Sequence, residues 1–214
     1  MKTYVITIES MLESVQTANR CIKSGLPFGL TIEKHRATTP ADDPERIMEK
    51  LGILNTVQFN EIYSRRLNCM SAFLSHYSLW EKSVETNEDI LILEHDAIIK
   101  GHVPDIPFKG CISYGAPSYG RYNIPMTLGV GPLVSKPYFP GAHAYKISPW
   151  GAKRLIKKAK LAAGPTDTFL NIENFPFLQE YYPWPIVARD NFTTIQNPNG
   201  CFAKHNYGEA YEIL

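Results

Sequence analysis

The sequence is poor in cysteine, contains no long apolar run, and carries no excess of either charge. Four cysteines occur in 214 residues, Cys21, Cys69, Cys111 and Cys201, with no CxxC or CxxH spacing among them. That distribution argues against a zinc site or a redox motif and fits free thiols in a reducing compartment. No apolar stretch approaches the roughly 18–20 residues needed to cross a bilayer. The segment from Met1 to Ser10 lacks the apolar core and small-residue cleavage site of a secretory signal. The expected location is therefore a cytoplasm, bacterial or that of a virus-infected host cell, with peripheral contact at the inner membrane face allowed. Lys and Arg total 22 against 21 Asp and Glu, a net charge of +1, which excludes a general nucleic-acid coat protein but not a local basic patch.

What is present is an ordinary globular composition, 44% hydrophobic and 20% charged, sized for one domain. Tyr4 to Ile8 reads as a strand, followed by a helix to about Ser24 that Gly25 and Pro27 stop. Phe28 to Ile32 reads as a second strand. Asp43 and Pro44 open a helix as N-cap and first helical residue, and Gly52 closes it. From about Asn68 to Glu85 the residues Met70, Phe73, Leu74, Tyr77, Trp80 and Val84 recur at helical spacing and make one apolar stripe. Ile90 to Leu93 is a continuous apolar run of strand length, as expected of a strand buried on both faces inside a parallel sheet. Pro and Gly recur through 101–141 and predict loops with a short strand at Cys111–Tyr114. Ala142 to Ile147 reads as a strand, Ser148 opens a helix to about Ala163, a shorter helix follows Thr166-Asp167, and Ile186 to Ala188 is a last strand candidate. This order predicts an α/β sandwich with a mostly parallel central sheet. Ligand crevices in such sheets lie beyond the carboxyl ends of the strands, here just after Ile8, Leu93 and Ile147.

Glu94-His95-Asp96 follow the buried strand directly. Carboxylates at the exit of a core strand must be paired or bound to a cation, because burying an uncompensated charge is costly. If the strand continued, Glu94 and Asp96 would share one side and His95 the other. Two converging carboxylates suit Mg²⁺ or Mn²⁺. The simpler alternative is a turn cap or an ion pair with a nearby lysine.

The blocks Ser71-Ala72-Phe73-Leu74-Ser75-His76-Tyr77-Ser78-Leu79-Trp80-Glu81 and Ile90 to Ala97 resemble glycosyltransferase family 25. That family includes lipopolysaccharide sugar transferases and collagen galactosyltransferases. His143 to Ser148, then Gly151-Ala152-Lys153-Arg154-Leu155, look like its second block, and Pro165-Thr166-Asp167 like its Pro-x-Asp. The chain departs from the family pattern at His95, where an aspartate is usual. It departs again at the arginine expected soon after the first strand, for which Arg20 is the only candidate and lies late.

The resemblance implies a GT-A-type, Rossmann-like fold. It implies a nucleotide-sugar donor, a uridine diphosphate (UDP) sugar above all, with Mn²⁺ or Mg²⁺ and a hydroxyl acceptor of lipopolysaccharide type. On that basis Asp96, with Glu94 and His205, would hold the metal. Thr7, Ile8 and Glu9 at the first strand end, with Arg20 and Ser75, would contact the donor. Asp167 would be the base, with Glu173 in reserve, and Glu94 and His76 would take part in catalysis. Simpler readings make Asp167 a helix-start residue favoured by the dipole, His205 a surface histidine, and one of Ser75 and His76 a buried anchor. His143 and Tyr145 would line the acceptor side, and the tyrosines at 114, 119, 122 and 138 would offer aromatic faces to a sugar or a base or else form amphipathic surface.

Lys153, Arg154, Lys157, Lys158 and Lys160 crowd one helix above the apolar Ala152, Leu155, Ile156 and Ala159. They make a solvated face or a docking strip for a polyanion: lipopolysaccharide phosphates, an anionic leaflet, or DNA. Two alternatives follow, a viral glycosyltransferase acting on hydroxymethylated DNA bases and an inactive nucleotide-sugar-binding protein. The expected organisation is one domain, with 1–100 as the donor half and 101–214 as the acceptor half.

Overall fold

A computed structural model describes residues 1–189 and 192–197, with the backbone of 212–213. Its strands are β1 (Lys2–Thr7), β2 (Glu33–Arg36), β3 (Ile90–Glu94), β4 (Ala97–Ile99), β5 (Cys111–Ser113), β6 (Gly129–Pro132), β7 (Ala144–Ile147), β8 (Leu178–Tyr182), β9 (Ile186–Ala188), β10 (Phe192–Thr193) and β11 (Glu212–Ile213). The α-helices are α1 (Leu12–Gly25), α2 (Pro44–Lys50), α3 (Arg66–Thr86), α4 (Pro149–Ala159) and α5 (Thr166–Phe169).

Seven strands form one sheet in the order β2-β1-β3-β7-β5-β8-β6. β2, β1, β3, β5 and β8 run one way, and β7 and β6 run against them. The fold is thus the expected α/β sandwich around a sheet whose strands mostly share a direction. Strands from both halves of the chain enter this sheet. Alternation of side chains divides the core into two layers. Tyr4, Ile6, Ile90, Ile92, Tyr145 and Ile147 face a layer that contains Phe73, Trp80 and Leu155 of α3 and α4. Val5, Leu91, Leu93 and Ala144 face a layer closed by Ala18 and Cys21 of α1, with Ile99 and Ile186 of the β4–β9 pair.

α3 runs slightly beyond the predicted span, and Asn87 ends it in a left-handed conformation at φ 54°. Its stripe buries Phe73 and Trp80 completely, and truncating either to alanine would cost about 3–5 kcal/mol. Asp43 caps α2 by accepting from the Arg46 N–H at 3.2 Å.

Three expectations need correction. The second strand is Glu33–Arg36, not Phe28–Ile32. Leu30 and Ile32 are buried beneath α1 as coil, while the edge strand carries the polar residues that its exposed position tolerates. β3 has a parallel neighbour in β1 but an antiparallel one in β7, so it is not wholly inside a parallel ladder. Consequently the residues after Ile147 lie at the far end of the sheet, because Ile147 pairs with Ile90. β6 and β8 carry no sequence signal strong enough to predict them. β6 is Gly-Val-Gly-Pro, and β8 is half-exposed.

Candidate active site

β3 delivers Glu94 to the edge of the core, where the Glu94 N–H donates to the His143 carbonyl at 2.9 Å. The strand ends there. His95 and Asp96 form a turn into β4, so the side-by-side geometry of a continued strand is not what places them. Two cavities meet at this turn. One, about 430 Å³, lies between Ile6 and Ile8 of β1, the Thr38–Ala41 segment, and Ser71 and Ser75 of α3. The other, about 370 Å³, lies between Glu61, Tyr119, Tyr138, His143 and Asp167. Glu94, Asp96, Ala72, Thr193 and Ile195 line both.

The shared wall is built from distant segments. Thr193 and Ile195 belong to a stretch pinned to the start of α3, where the Arg65 N–H donates to the Ile195 carbonyl at 2.7 Å and Asn68 Nδ2 to the Thr194 carbonyl at 2.8 Å. His95 lines the first cavity, stacks on Phe192 at 5.5 Å, and bonds through Nδ1 to Ser14 Oγ at 2.9 Å. Ser14 Oγ also accepts from the Ile8 N–H at 2.9 Å, which ties the start of α1 to the end of β1.

Glu94 is contacted from behind by His76 Nε2 at 3.1 Å and keeps 31% of its side chain exposed. Burial pushes its carboxyl up, but the hydrogen bond from His76 is the foremost of the effects that outweigh it and hold the group below the usual carboxylate range. Asp167 moves the other way. Burial raises its pKa, helped by the charges of Glu94 and Glu61, against hydrogen bonds from Tyr119 Oη and the Thr168 N–H. Burial likewise lowers the pKa of His143, whose Nδ1–H donates to the Gly141 carbonyl at 2.8 Å.

The structure brings Glu94, Asp96, His76, Ser75 and Ile8 to the first cavity, and Glu94, Asp96 and Asp167 to the second. Ser75 is the buried anchor: its hydroxyl donates to the Ser71 carbonyl at 2.8 Å and accepts from the Thr38 N–H at 2.9 Å. Thr7 is turned into the sheet and bonds its own strand at the Val5 carbonyl. Glu9 is exposed, and neither it nor Arg20 nor Glu173 lines either cavity. His205 lies outside the described residues, as does Cys201. Cys21, Cys69 and Cys111 are buried free thiols, and burial pushes Cys21 up to about 12.

Of the acceptor-side and aromatic candidates, His143, Tyr119 and Tyr138 line the second cavity, while Tyr145 and Tyr114 are buried in the core and Tyr122 packs on Trp184. None of Lys153, Arg154, Lys157, Lys158 and Lys160 lines either cavity. Glu61 and the Thr38–Ala41 segment carry no sequence signal and enter the site only through packing.

Two carboxylates on one wall fit an oxygen-preferring divalent cation whose other positions go to water and phosphate oxygens. Among the described residues no group of three His, Cys, Asp or Glu side chains converges on one point. No helix among the described residues is long and apolar enough to cross a membrane.

No curated protein sequence matches the chain. The solved structures to which it is similar include the apo form of mouse xyloside xylosyltransferase 1, at 10% identity and a TM-score of 0.42, covering 90% of this chain and 87% of that one. Residues 3–107 match the family model of glycosyltransferase family 25, described as an LPS (lipopolysaccharide) biosynthesis protein. The matched stretch, just under half of the chain, holds Ser75, His76, Glu94 and Asp96, and supports a glycosyltransferase of the family 25 type.

Proposed function

We propose that the protein transfers a sugar from a nucleoside diphosphate sugar, a UDP-sugar above all, to a saccharide hydroxyl of lipopolysaccharide type. One observation carries this reading: two cavities of comparable size share a single wall made of Glu94 and Asp96. A two-substrate transfer needs donor and acceptor to meet at one point, and holding them there accounts for much of the catalysis. The cavity beside β1 and α3 takes the nucleotide, and the cavity of Tyr119, Tyr138 and Asp167 takes the acceptor.

Asp96, supported by Glu94, would hold Mn²⁺ or Mg²⁺. When bound, the cation supplies charge neutralisation to the departing diphosphate. Asp167 accepts the acceptor's hydroxyl proton as the new C–O bond forms and the bond from sugar to diphosphate breaks. Its raised pKa suits a general base better than an ordinary carboxylate would. Tyr119 Oη, bonded to Asp167, orients that carboxylate. Tyr138, beside Tyr119 at 6.3 Å between centroids, offers a ring face to a sugar. The lipopolysaccharide-type acceptor rests on the description of the matching family.

The test is a thermal-shift and donor-hydrolysis screen of UDP-sugars with and without Mn²⁺. Stabilisation by a UDP-sugar that requires Mn²⁺ supports the reading. No shift and no hydrolysis with any nucleotide sugar would sink it.

A further inference from the structure

Behind Glu94 lies a line of buried polar groups that ends on it. Trp80 Nε1–H donates to the Tyr145 hydroxyl oxygen at 2.8 Å. That hydroxyl meets His76 Nδ1 at 3.0 Å, and His76 Nε2 meets Glu94 Oε1 at 3.1 Å. Trp80 and Tyr145 are fully buried, His76 is 1% exposed, and neither Trp80 nor Tyr145 lines a cavity. His76 and Trp80 share a face of α3 at i and i+4, and Tyr145 reaches them from β7.

The direction of this chain is set at its inner end. An indole N–H only donates, so the Tyr145 oxygen accepts there. Its own proton then has one acceptor among the described residues, His76 Nδ1. With Nδ1 accepting, the single ring proton of His76 sits on Nε2 and is committed to Glu94. We infer that Trp80 and Tyr145 are positioning residues. They orient His76 so that Nδ1 accepts from the Tyr145 hydroxyl and Nε2–H is aimed at Glu94, and so fix the Glu94 carboxylate at the junction of the two cavities. The inference rests on Glu94 serving the donor site, as proposed above.

Two measurements test it. The ¹⁵N imidazole spectrum of histidine-labelled protein, with the His76 signals assigned through His76→Gln, should show a bare Nδ1 and a protonated Nε2. A protonated Nδ1 in the wild type would overturn the orientation. Tyr145→Phe removes only the hydroxyl and leaves the ring stacked on His76 at 5.7 Å. It should lose the single-tautomer signature and lower kcat/KM for a UDP-hexose about 10- to 100-fold, as loss of an orienting partner does in related sites. Trp80→Phe should show the same effect more weakly. Tyr77→Phe, in the same helix and core but outside the chain, should leave kcat/KM within about twofold. Wild-type kcat/KM in Tyr145→Phe would refute the positioning role. If Tyr145→Phe does not fold, the wild-type spectrum and Trp80→Phe decide. A wild type with a bare Nδ1 but no turnover of any UDP-hexose would instead defeat the functional reading and leave the orientation standing.

Discussion

The two ends of β3 treat charge in opposite ways. At its start, Lys146 of β7 is 2% exposed and is held by Asp89 Oδ2 at 3.3 Å and Asp105 Oδ1 at 2.5 Å, with its ammonium 4.8 Å from the Phe108 ring centroid. At its finish, Glu94, Asp96, Asp167 and Glu61 gather around one cavity, and no lysine or arginine is among the described residues lining it. The first end matches a buried cation to its anions, and its carboxylates remain near water. The second crowds like charges around a hollow, which costs stability and suits a group meant to accept a proton or a cation. The same residue types are therefore matched to a cation at one end and left crowded around a cavity at the other.

The pKa directions make the contrast measurable. The Asp105 carboxyl is lowered, first by its hydrogen bond from Lys146, and the Asp167 carboxyl is raised by burial. A lowered carboxylate contributes stability that is present above its unfolded pKa and lost as pH falls through the folded one. A raised carboxylate has the reverse sign: the folded state carries a cost at neutral pH that disappears on acidification.

The largest expected effect is at Asp167. Asp167→Asn should lower kcat about 10²- to 10⁴-fold, the usual worth of a positioned base, without weakening donor binding. The same substitution should raise the thermal unfolding midpoint at pH 7, with a gain that shrinks as the pH is lowered. In the wild type, transfer should fall on acidification through a midpoint above the ordinary carboxylate range. A destabilised, fully active Asp167→Asn would erase the distinction between the two ends. Asp96→Asn comes next. It should abolish Mn²⁺-dependent donor binding and reduce transfer on the order of 10²- to 10³-fold. Unchanged donor affinity in a titration with Mn²⁺ would remove Asp96 from the metal assignment.

At the other end, the double substitution Asp89→Asn with Asp105→Asn strands Lys146 and should cost about 3–5 kcal/mol in denaturant unfolding, with turnover intact below the transition. Lys146→Met should cost far less, because the two aspartates left behind are 41% and 65% exposed and can rehydrate. Equal losses in the two variants would mean that the triad is not the stabilising element. The smallest effect is at Ser75. Ser75→Ala removes the acceptor for the Thr38 N–H and should cost about 1 kcal/mol, with a few-fold rise in donor KM as the cavity wall loosens.

Much of this arrangement is legible along the chain. The stripe from Met70 to Val84 predicts α3 because helical periodicity is a local property, and Asp43-Pro44 predicts the start of α2 because capping is local too. The apolar run Ile90–Leu93 followed by Glu94 and Asp96 predicts a core strand ending in acid, and both carboxylates do line the cavities. The edge strand misleads because its exposed position asks for no apolar pattern, whereas Leu30 and Ile32 are apolar to cover α1's side of the sheet. Thr7 misleads because a strand end presents alternate residues to opposite faces: Ile6 and Ile8 line the first cavity and Thr7 turns inward.

Sequence by itself determined the elements, the acidic strand end, and the helix that carries His76, since each depends on residues a few positions apart. Only the tertiary structure decided that β7 runs against β3. That reversal brings His143 to the site, sends Ser148 to the far end, and sets Tyr145 between Trp80 and His76. Only the tertiary structure set Tyr119 against Asp167, Glu61 beside the same cavity, and Lys146 between two aspartates. These are contacts between segments tens of residues apart. They depend on strand direction and on how the two layers pack, neither of which is written in the local spacing of any one segment.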